Sequence, residues 1–319
     1  MNKTIAITGA SGYIGRHLIA SLASSEDIRI KVLARPQSEK PTAVEWPEKV
    51  EVVQGDLNDA DSLQDLLEPG CTVVNLVYLW DAGEQGNLQV IRNLLDTCVA
   101  AGIGRLIHCS TAAVSGRVAD DRITEETPCR PITEYGITKL KVEQAILASA
   151  KGRFDAAVIR PTAVFGPGAE PLKKLAADLL HGSRSRNYLK SCLFGRRRMN
   201  LVHIDNAVAA LDYLIRCEKP LKDEVFIVSD DAAPNNNFAD VERYLIDSLR
   251  VPDYPLPRLP LPLGLLSLLL RALGRNNINP RCNYSQNKLE AFGFNSPVDF
   301  ETGLANYAAW YRTQAHSRS

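Results

Sequence analysis

The sequence predicts an α/β protein built on a doubly wound parallel sheet, with a smaller C-terminal α/β domain, and three observations carry that prediction. From the start to about residue 165, short β-branched runs alternate with helical stretches, as parallel strands joined by crossover helices require. The first of these runs opens at once into a turn with glycines at 9, 12 and 15. After Pro161 the character changes: Phe165-Gly166-Pro167-Gly168, then a basic cluster at Arg196 to Arg198, then a Pro/Leu-rich stretch from Val251 to Leu273.

The strand-like runs, in order, are Thr4–Thr8, Ile28–Leu33, Val50–Gln54, Thr72–Tyr78, Arg105–Cys109 and Ala156–Arg160. Each is nearly all apolar, as strands covered on both faces should be. Between them Ile14–Leu22, Ser62–Leu67 and Leu88–Val99 place apolar residues at helical spacing. A helical segment at Asn206–Arg216 and a run at Val225–Ser229 read as late additions to the same sheet. The chain is therefore expected to divide into residues 1–165, with 201–230 returning to the sheet, and a lid domain of 166–200 and 231–319. A small-molecule site is expected between those parts.

The 319 residues carry 37 basic and 37 acidic side chains and are 45% apolar and 23% charged. That excludes disordered and collagen-like classes. It also argues against a nucleic-acid binder, since no surplus of cations exists to displace counterions. Seven cysteines without a C-x-x-C pair fit a reducing compartment and give no zinc pattern, so no metal is expected. The first residues lack the apolar core of a signal peptide, and a cytoplasmic location is expected. The longest uncharged run, Leu259 to Leu270, has 12 residues and two prolines, well short of the roughly 20 that span a bilayer. It reads as a buried helix roofing a pocket.

Thr8-Gly9-Ala10-Ser11-Gly12-Tyr13-Ile14-Gly15 sits between a strand and a helix, the context in which spaced glycines acquire meaning. Gly9 and Gly12 clear the way for backbone N–H groups of Ser11, Tyr13 and Ile14 to approach a pyrophosphate, and Gly15 lets the helix pack close to the strand. The anion then sits on a positive helix end. This is the fingerprint of a Rossmann-type dinucleotide site. About 20 residues further on, where an acidic residue would read an NAD ribose, the chain has Lys31-Val32-Leu33-Ala34-Arg35. Arg35 suits a ribose 2′-phosphate, which favours NADP while leaving NAD open. Asp56 and Leu57, after the third strand, are placed to meet adenine, Asp56 as acceptor for its amino group; a capping role is the rival for that carboxylate.

Tyr135 and Lys139 stand four apart near the start of a helical stretch, on one face. An adjacent ammonium should favour the ionised phenol and bring its pKa down toward working range. Tyr135 is then a proton donor to a carbonyl undergoing reduction. Thr111, just past a strand end, is placed to hold the same oxygen.

Together these residues resemble the extended short-chain dehydrogenases/reductases, specifically the NAD-dependent epimerase/dehydratase group that modifies nucleotide sugars. The likeness runs through TGASGYIG, GDLND, NLQVIRNLL at 87–95, HCSTAAVSG, YGITK, RPTAVFGPG, LVHIDNAV at 201–208 and FGFNSPVDFETGL. It implies that Thr111, Tyr135 and Lys139 are catalytic, that Tyr135, Lys139 and Pro161 also touch the cofactor, and that the lid binds a nucleotide-sugar substrate, with Thr111 contacting it too. It further implies a homodimer formed through the 88–99 and 135–150 helices.

Departures from the family pattern narrow the reading. Ala112-Ala113 replace the Asp-Glu pair of dehydratases; in Arg160-Pro161-Thr162-Ala163-Val164-Phe165-Gly166-Pro167, Ala163 stands where many epimerases carry a sugar-contacting Asn; and the acid after the second strand is missing. The expectation is an NADPH-dependent reductase of a 4-keto nucleotide-diphosphate sugar, serving polysaccharide or deoxysugar synthesis. The alternatives are an NAD-dependent 4-epimerase, a ketoreductase of an apolar steroid- or flavonoid-like substrate, and a non-catalytic NADP(H)-binding sensor or assembly protein. At least one of Arg196 to Arg198, with Arg198 nearest the family's usual register though one residue early, and Arg281 resemble the arginines that grip the substrate diphosphate. His203, on an apolar run, reads as a packed histidine.

Overall fold

A computed structural model describes residues 3–35, 45–274 and 278–316. Two compact units divide the chain: residues 1–114, 131–160 and 208–226 form one, and 115–130, 161–207 and 227–319 the other.

The first unit is organised by the sheet. In chain order its elements are β1 (Lys3–Thr8), α1 (Tyr13–Leu22), β2 (Ile28–Ala34), β3 (Val50–Gln54), β4 (Thr72–Asn75), α2 (Gly83–Ala101) and β5 (Arg105–Cys109). Past the short β6 (Arg122–Ile123) of the other unit come α3 (Glu134–Ala150) and β7 (Asp155–Pro161). Later segments are β8 (Ala163–Phe165), α4 (Lys173–His181), α5 (Arg184–Phe194), β9 (Leu201–His203), α6 (Ile204–Arg216) and β10 (Glu224–Val228). The chain closes with α7 (Phe238–Ser248), α8 (Leu263–Ala272), β11 (Asn283–Tyr284), α9 (Asn287–Phe292) and α10 (Phe300–His316).

Seven strands form one sheet in the order β10-β7-β5-β4-β1-β2-β3. The pairings from β3 across to β7 are all parallel. In register, Ile5 lies beside Ile30 and Thr72, and Ile7 beside Val32 and Val74. These residues are buried because helices cover both faces, the reason the strands read as unbroken apolar runs. The strand order reverses between β1 and β4, and ligands of open α/β sheets bind beyond the carboxyl ends of strands at that reversal. The expected late additions are present as α6 and as β10 at the sheet edge.

Three sequence expectations are corrected. The 72–78 run stops being strand at Asn75, whose side-chain Oδ1 accepts from the Val77 N–H at 3.2 Å and turns the backbone out of the ladder. The 62–67 stretch is a single 3₁₀ turn, Asp61–Leu63. There the Ser62 hydroxyl bonds the Asp56 and Asp59 carbonyls, a side-chain alternative to helical pairing. Finally, the helix expected to be buried in the Leu-rich run exists as α8, yet only Leu266 and Leu270 are buried while Leu265 and Leu268 are 54% and 63% exposed. A four-residue spacing gives it one inward stripe and leaves the other leucines in solvent.

The second unit pairs β8 with β9 and β11 with β6. Its core gathers Phe165, Leu172, Leu201, Val241, Leu245, Leu304 and Tyr307.

Candidate active site

The site is built where β1, β4 and β5 end. Thr8 Oγ1 donates to Asn75 Oδ1 at 2.8 Å, and Asn75 Nδ2 lies 3.1 Å from His108 Nδ1. All three side chains are fully buried, so the strand ends are tied together by a polar chain beneath the ligand side. Burial and the Lys139 ammonium push the His108 pKa well down, which keeps its imidazole neutral. Neither Asn75 nor His108 was singled out from the sequence, where each is one polar residue in an apolar strand.

Beyond β1, Gly9 has φ 76°, and a Cβ there would lie 2.9 Å from the Leu76 carbonyl carbon. At Gly15 a Cβ would meet the Ala10 carbonyl oxygen at 2.5 Å. Glycine is therefore required at both positions by close backbone approach. Gly12 caps α1 and brings no side-chain acceptor to its first turn, the arrangement in which a helix N-terminus can receive an anion. Ser11 is exposed, and Tyr13 and Ile14 are half-buried beside it.

Arg35 lies exposed one residue past β2. Asp56 has a structural task, since its Oδ1 accepts from both the backbone N–H and the side-chain amide of Asn58 at 2.8 Å. Leu57 beside it is buried.

Thr133 caps α3, its hydroxyl accepting from the Gly136 N–H at 3.1 Å, which places Tyr135 in the first turn and Lys139 one turn on. Lys139 is 3% exposed and donates through Nζ to the Cys109 carbonyl at 2.9 Å. Its pKa is pushed down, mainly by burial. Thr111 follows directly, its Oγ1 accepting from the Ala113 N–H at 3.2 Å. The structure thus brings Thr111, Tyr135 and Lys139 to one strand end.

The electrostatics correct one expectation. The Tyr135 phenol is pushed up to about 12 rather than down, first by burial and then by Cys109, with Thr111 opposing and Tyr78 adding a small further rise. Burial disfavours the phenolate, and the Lys139 ammonium is turned to a backbone carbonyl. The phenol is therefore protonated at neutral pH.

Two aromatic residues from the β4–α2 connection complete the site. Tyr135 and Trp80 are stacked, with ring centroids 5.2 Å apart and planes 16° apart. Tyr78 meets both edge-on, at 4.7 Å and 4.9 Å, and the Lys139 ammonium stands 5.6 Å from its centroid. Sequence reasoning missed this pair because it read the segment as strand through Tyr78.

In the second unit, Arg198 donates to the carbonyls of Ala233, Asp231 and Pro234 at 2.9, 3.0 and 3.4 Å. Its backbone N–H bonds Pro280. Arg281 is exposed and lines a cavity of about 220 Å³ together with Arg271, Asp121, Ser267 and Asn279. The structure brings Arg271, not Arg198, into the cavity with Arg281. Pro161 is buried at the end of β7, and His203 is buried with its ring edge-on to Phe165.

The chain has relatives among known proteins. The profile of the NAD dependent epimerase/dehydratase family matches residues 5–228. A UDP-glucose 4-epimerase of Vibrio cholerae is 27% identical over all of this chain and 98% of its own. A 2'-dehydrokanamycin reductase of Streptomyces kanamyceticus is 30% identical over 66% of this chain and 57% of its own length. Among solved structures, the Bordetella bronchiseptica enzyme WbmG in complex with NAD and UDP superposes with a TM-score of 0.73 at 21% identity, covering 98% of this chain and 95% of that one. Among the described residues no helix is long and apolar enough to cross a membrane.

Proposed function

The chain belongs to the NAD dependent epimerase/dehydratase family of extended short-chain dehydrogenase/reductase enzymes, and on that premise we propose that it reduces a 4-keto nucleotide-diphosphate sugar with NADPH. The observation that carries this reading is the gathering of Thr111, Tyr135 and Lys139 at the end of β5, with Ala112-Ala113 following Thr111. A phenol at that strand end can give a proton to the oxygen of a carbonyl undergoing reduction.

The Gly9–Gly15 turn with the α1 N-terminus would hold the diphosphate of the cofactor, Arg35 its 2′-phosphate, and the Asp56-Leu57 turn would border the adenine. When bound, the reduced nicotinamide supplies a hydride to the keto carbon. Tyr135 gives its proton to the keto oxygen as the C–O double bond becomes an alcohol. Thr111 holds that oxygen in line through its hydroxyl. Lys139, one turn on, would turn from the Cys109 carbonyl to the ribose hydroxyls of the bound cofactor and from there stabilise the phenolate left behind. Arg281, with Arg271 in the same cavity, would meet the substrate diphosphate as a bidentate guanidinium partner.

Support for a nucleotide sugar comes from the UDP bound by WbmG and from the UDP-glucose 4-epimerase relative, and support for reduction from the reductase relative. Ala112-Ala113, with no carboxylate after Thr111, leave no group there to drive elimination of water. The full-length likeness to a 4-epimerase favours a second reading, NAD-dependent 4-epimerisation.

One experiment separates the two. Purified protein is assayed against UDP- and dTDP-linked 4-keto sugars with NADPH oxidation as readout, and its bound nucleotide is released and quantified. Stoichiometric NADPH oxidation with a ketone of the panel is expected. Stoichiometric tightly bound NAD without net oxidation of NADPH would establish the epimerase, and turnover of an apolar ketone alone would overturn both.

A further inference from the structure

We propose that Trp80 is a specificity-determining residue that contacts the substrate, its indole forming the wall against which the C–H-bearing face of the reacting sugar ring lies. This rests on the reading above and deepens it.

The position of the indole is built in. Asn87, 3% exposed, accepts from the Leu79 N–H at 2.9 Å and donates to the Leu79 carbonyl at 2.8 Å, and it donates also to the Gly83 carbonyl at 2.8 Å. Both backbone groups of Leu79 are thus held by one buried amide, and the Leu79 side chain packs on the apolar core. Pinning the middle residue fixes its two neighbours, and both point their rings at Tyr135. The offset parallel stack of Trp80 on the phenol and the edge-on approach of Tyr78 are geometries that aromatic pairs prefer.

The indole is nevertheless 74% exposed. One face is engaged by the phenol and most of the rest meets solvent, although it stands beside the group proposed to protonate the substrate. An oxygen accepting from a phenol sits within about 2.8 Å of it. A six-membered ring attached to that oxygen comes within reach of an indole centred 5.2 Å from the phenol ring. The indole has a large apolar surface with a single donor, so it selects the C–H face of the ring and disfavours one crowded with hydroxyls.

The test uses the full chain. Trp80→Ala and Trp80→Phe are assayed with UDP- and dTDP-linked 4-keto-6-deoxyglucose alongside the unmodified protein, and NADPH affinity is measured by equilibrium titration. Trp80→Ala is expected to lose about 10- to 100-fold in kcat/KM, largely in KM, with NADPH affinity within about threefold, and Trp80→Phe to restore most of the loss. Because the side chain is exposed, both variants are expected to fold.

A second readout does not depend on turnover. In a Trp46→Phe/Trp310→Phe background Trp80 is the sole tryptophan of the chain's three. Its fluorescence is expected to change on adding the keto-sugar nucleotide and to stay constant with UDP or dTDP alone. Turnover by the unmodified protein with equal kcat/KM in Trp80→Ala, or the same emission change with the bare nucleotide, overturns the inference and leaves the proposed function standing. No turnover of any nucleotide sugar by the unmodified protein overturns both.

Discussion

In the sheet-bearing unit, hydrocarbon fills the core and polar side chains collect where strands end; Leu63, Leu94, Leu106 and Ile146 are fully buried, while Asn75, His108 and Lys139 cluster at the carboxyl edge. In the second unit, two adjacent carboxylates lie inside. Asp230 accepts from the His203 N–H at 2.7 Å and the Asn206 amide at 2.8 Å. Asp231 accepts from the Asn200 amide at 2.6 Å, the Tyr284 N–H at 2.8 Å and the Asn236 amide at 3.0 Å. The difference teaches that one unit owes its shape to repeated strand–helix units, whereas the other uses side-chain amides and carboxylates to join segments far apart in the chain. The candidate site lies at the edge of the first core; in the second, polar groups are part of the core.

The largest effect expected to sharpen this contrast is at the edge of the sheet. Tyr135→Phe removes the proton donor but keeps the ring that stacks with Trp80. A loss of about 10²- to 10⁴-fold in kcat is expected, with melting temperature and NADPH affinity nearly unchanged. Steady-state kinetics with fluorescence titration would check it, and unchanged turnover would remove Tyr135 from the chemistry.

A smaller effect distinguishes the two cores by pH. Burial pushes Asp230 and Asp231 each up to about 6, above an unfolded value near 4. Folding thus favours their protonated forms: the associated stability is full below about 4 and is lost as pH rises through about 6. His108 has the opposite sign, because its folded pKa is depressed and its contribution fades as pH falls below about 6.5. Asp231→Asn should therefore flatten the rise in unfolding free energy on acidification by about 1.4 kcal/mol per pH unit within that window. Urea unfolding of both proteins between pH 4.5 and 7.5 would measure it. Parallel curves would mean that the carboxylate titrates alike in the folded and unfolded chain.

The smallest expected effect is at Arg35, an exposed residue with no part in either core. Arg35→Ala should weaken NADPH binding by about tenfold, as loss of one charge-assisted contact implies, and leave NADH binding within about twofold. An equal loss for both cofactors would show that Arg35 does not read the 2′-phosphate.

Much of the sheet-bearing unit was legible because its signals are short-range. The strand runs at 4–8, 50–54 and 105–109 match β1, β3 and β5, and the glycines at 9 and 15 translate directly into close backbone approach that a Cβ would block. That Tyr135 and Lys139 stand one turn apart on α3 follows from helical spacing alone, whereas the turn of the ammonium to the Cys109 carbonyl does not. Where a single side chain reached back to its own backbone, as Asn75 does to Val77 and Ser62 to Asp56 and Asp59, element boundaries were misplaced. Periodicity carries no trace of such bonds.

By itself, then, the sequence determined the doubly wound architecture, the family and the glycine turn, and it put forward Thr111, Tyr135 and Lys139 for the proposed chemistry, since each is written in spacings of a few residues. Tertiary structure decided what surrounds them: that burial raises the Tyr135 phenol where spacing suggested a fall, that Asn87 delivers Trp80 to its ring, that Arg271 joins Arg281 in a cavity, and that Asp231 is held by residues as distant as Asn200 and Tyr284. Desolvation and long-range hydrogen bonds depend on which segments meet, and that is settled only when the chain has folded.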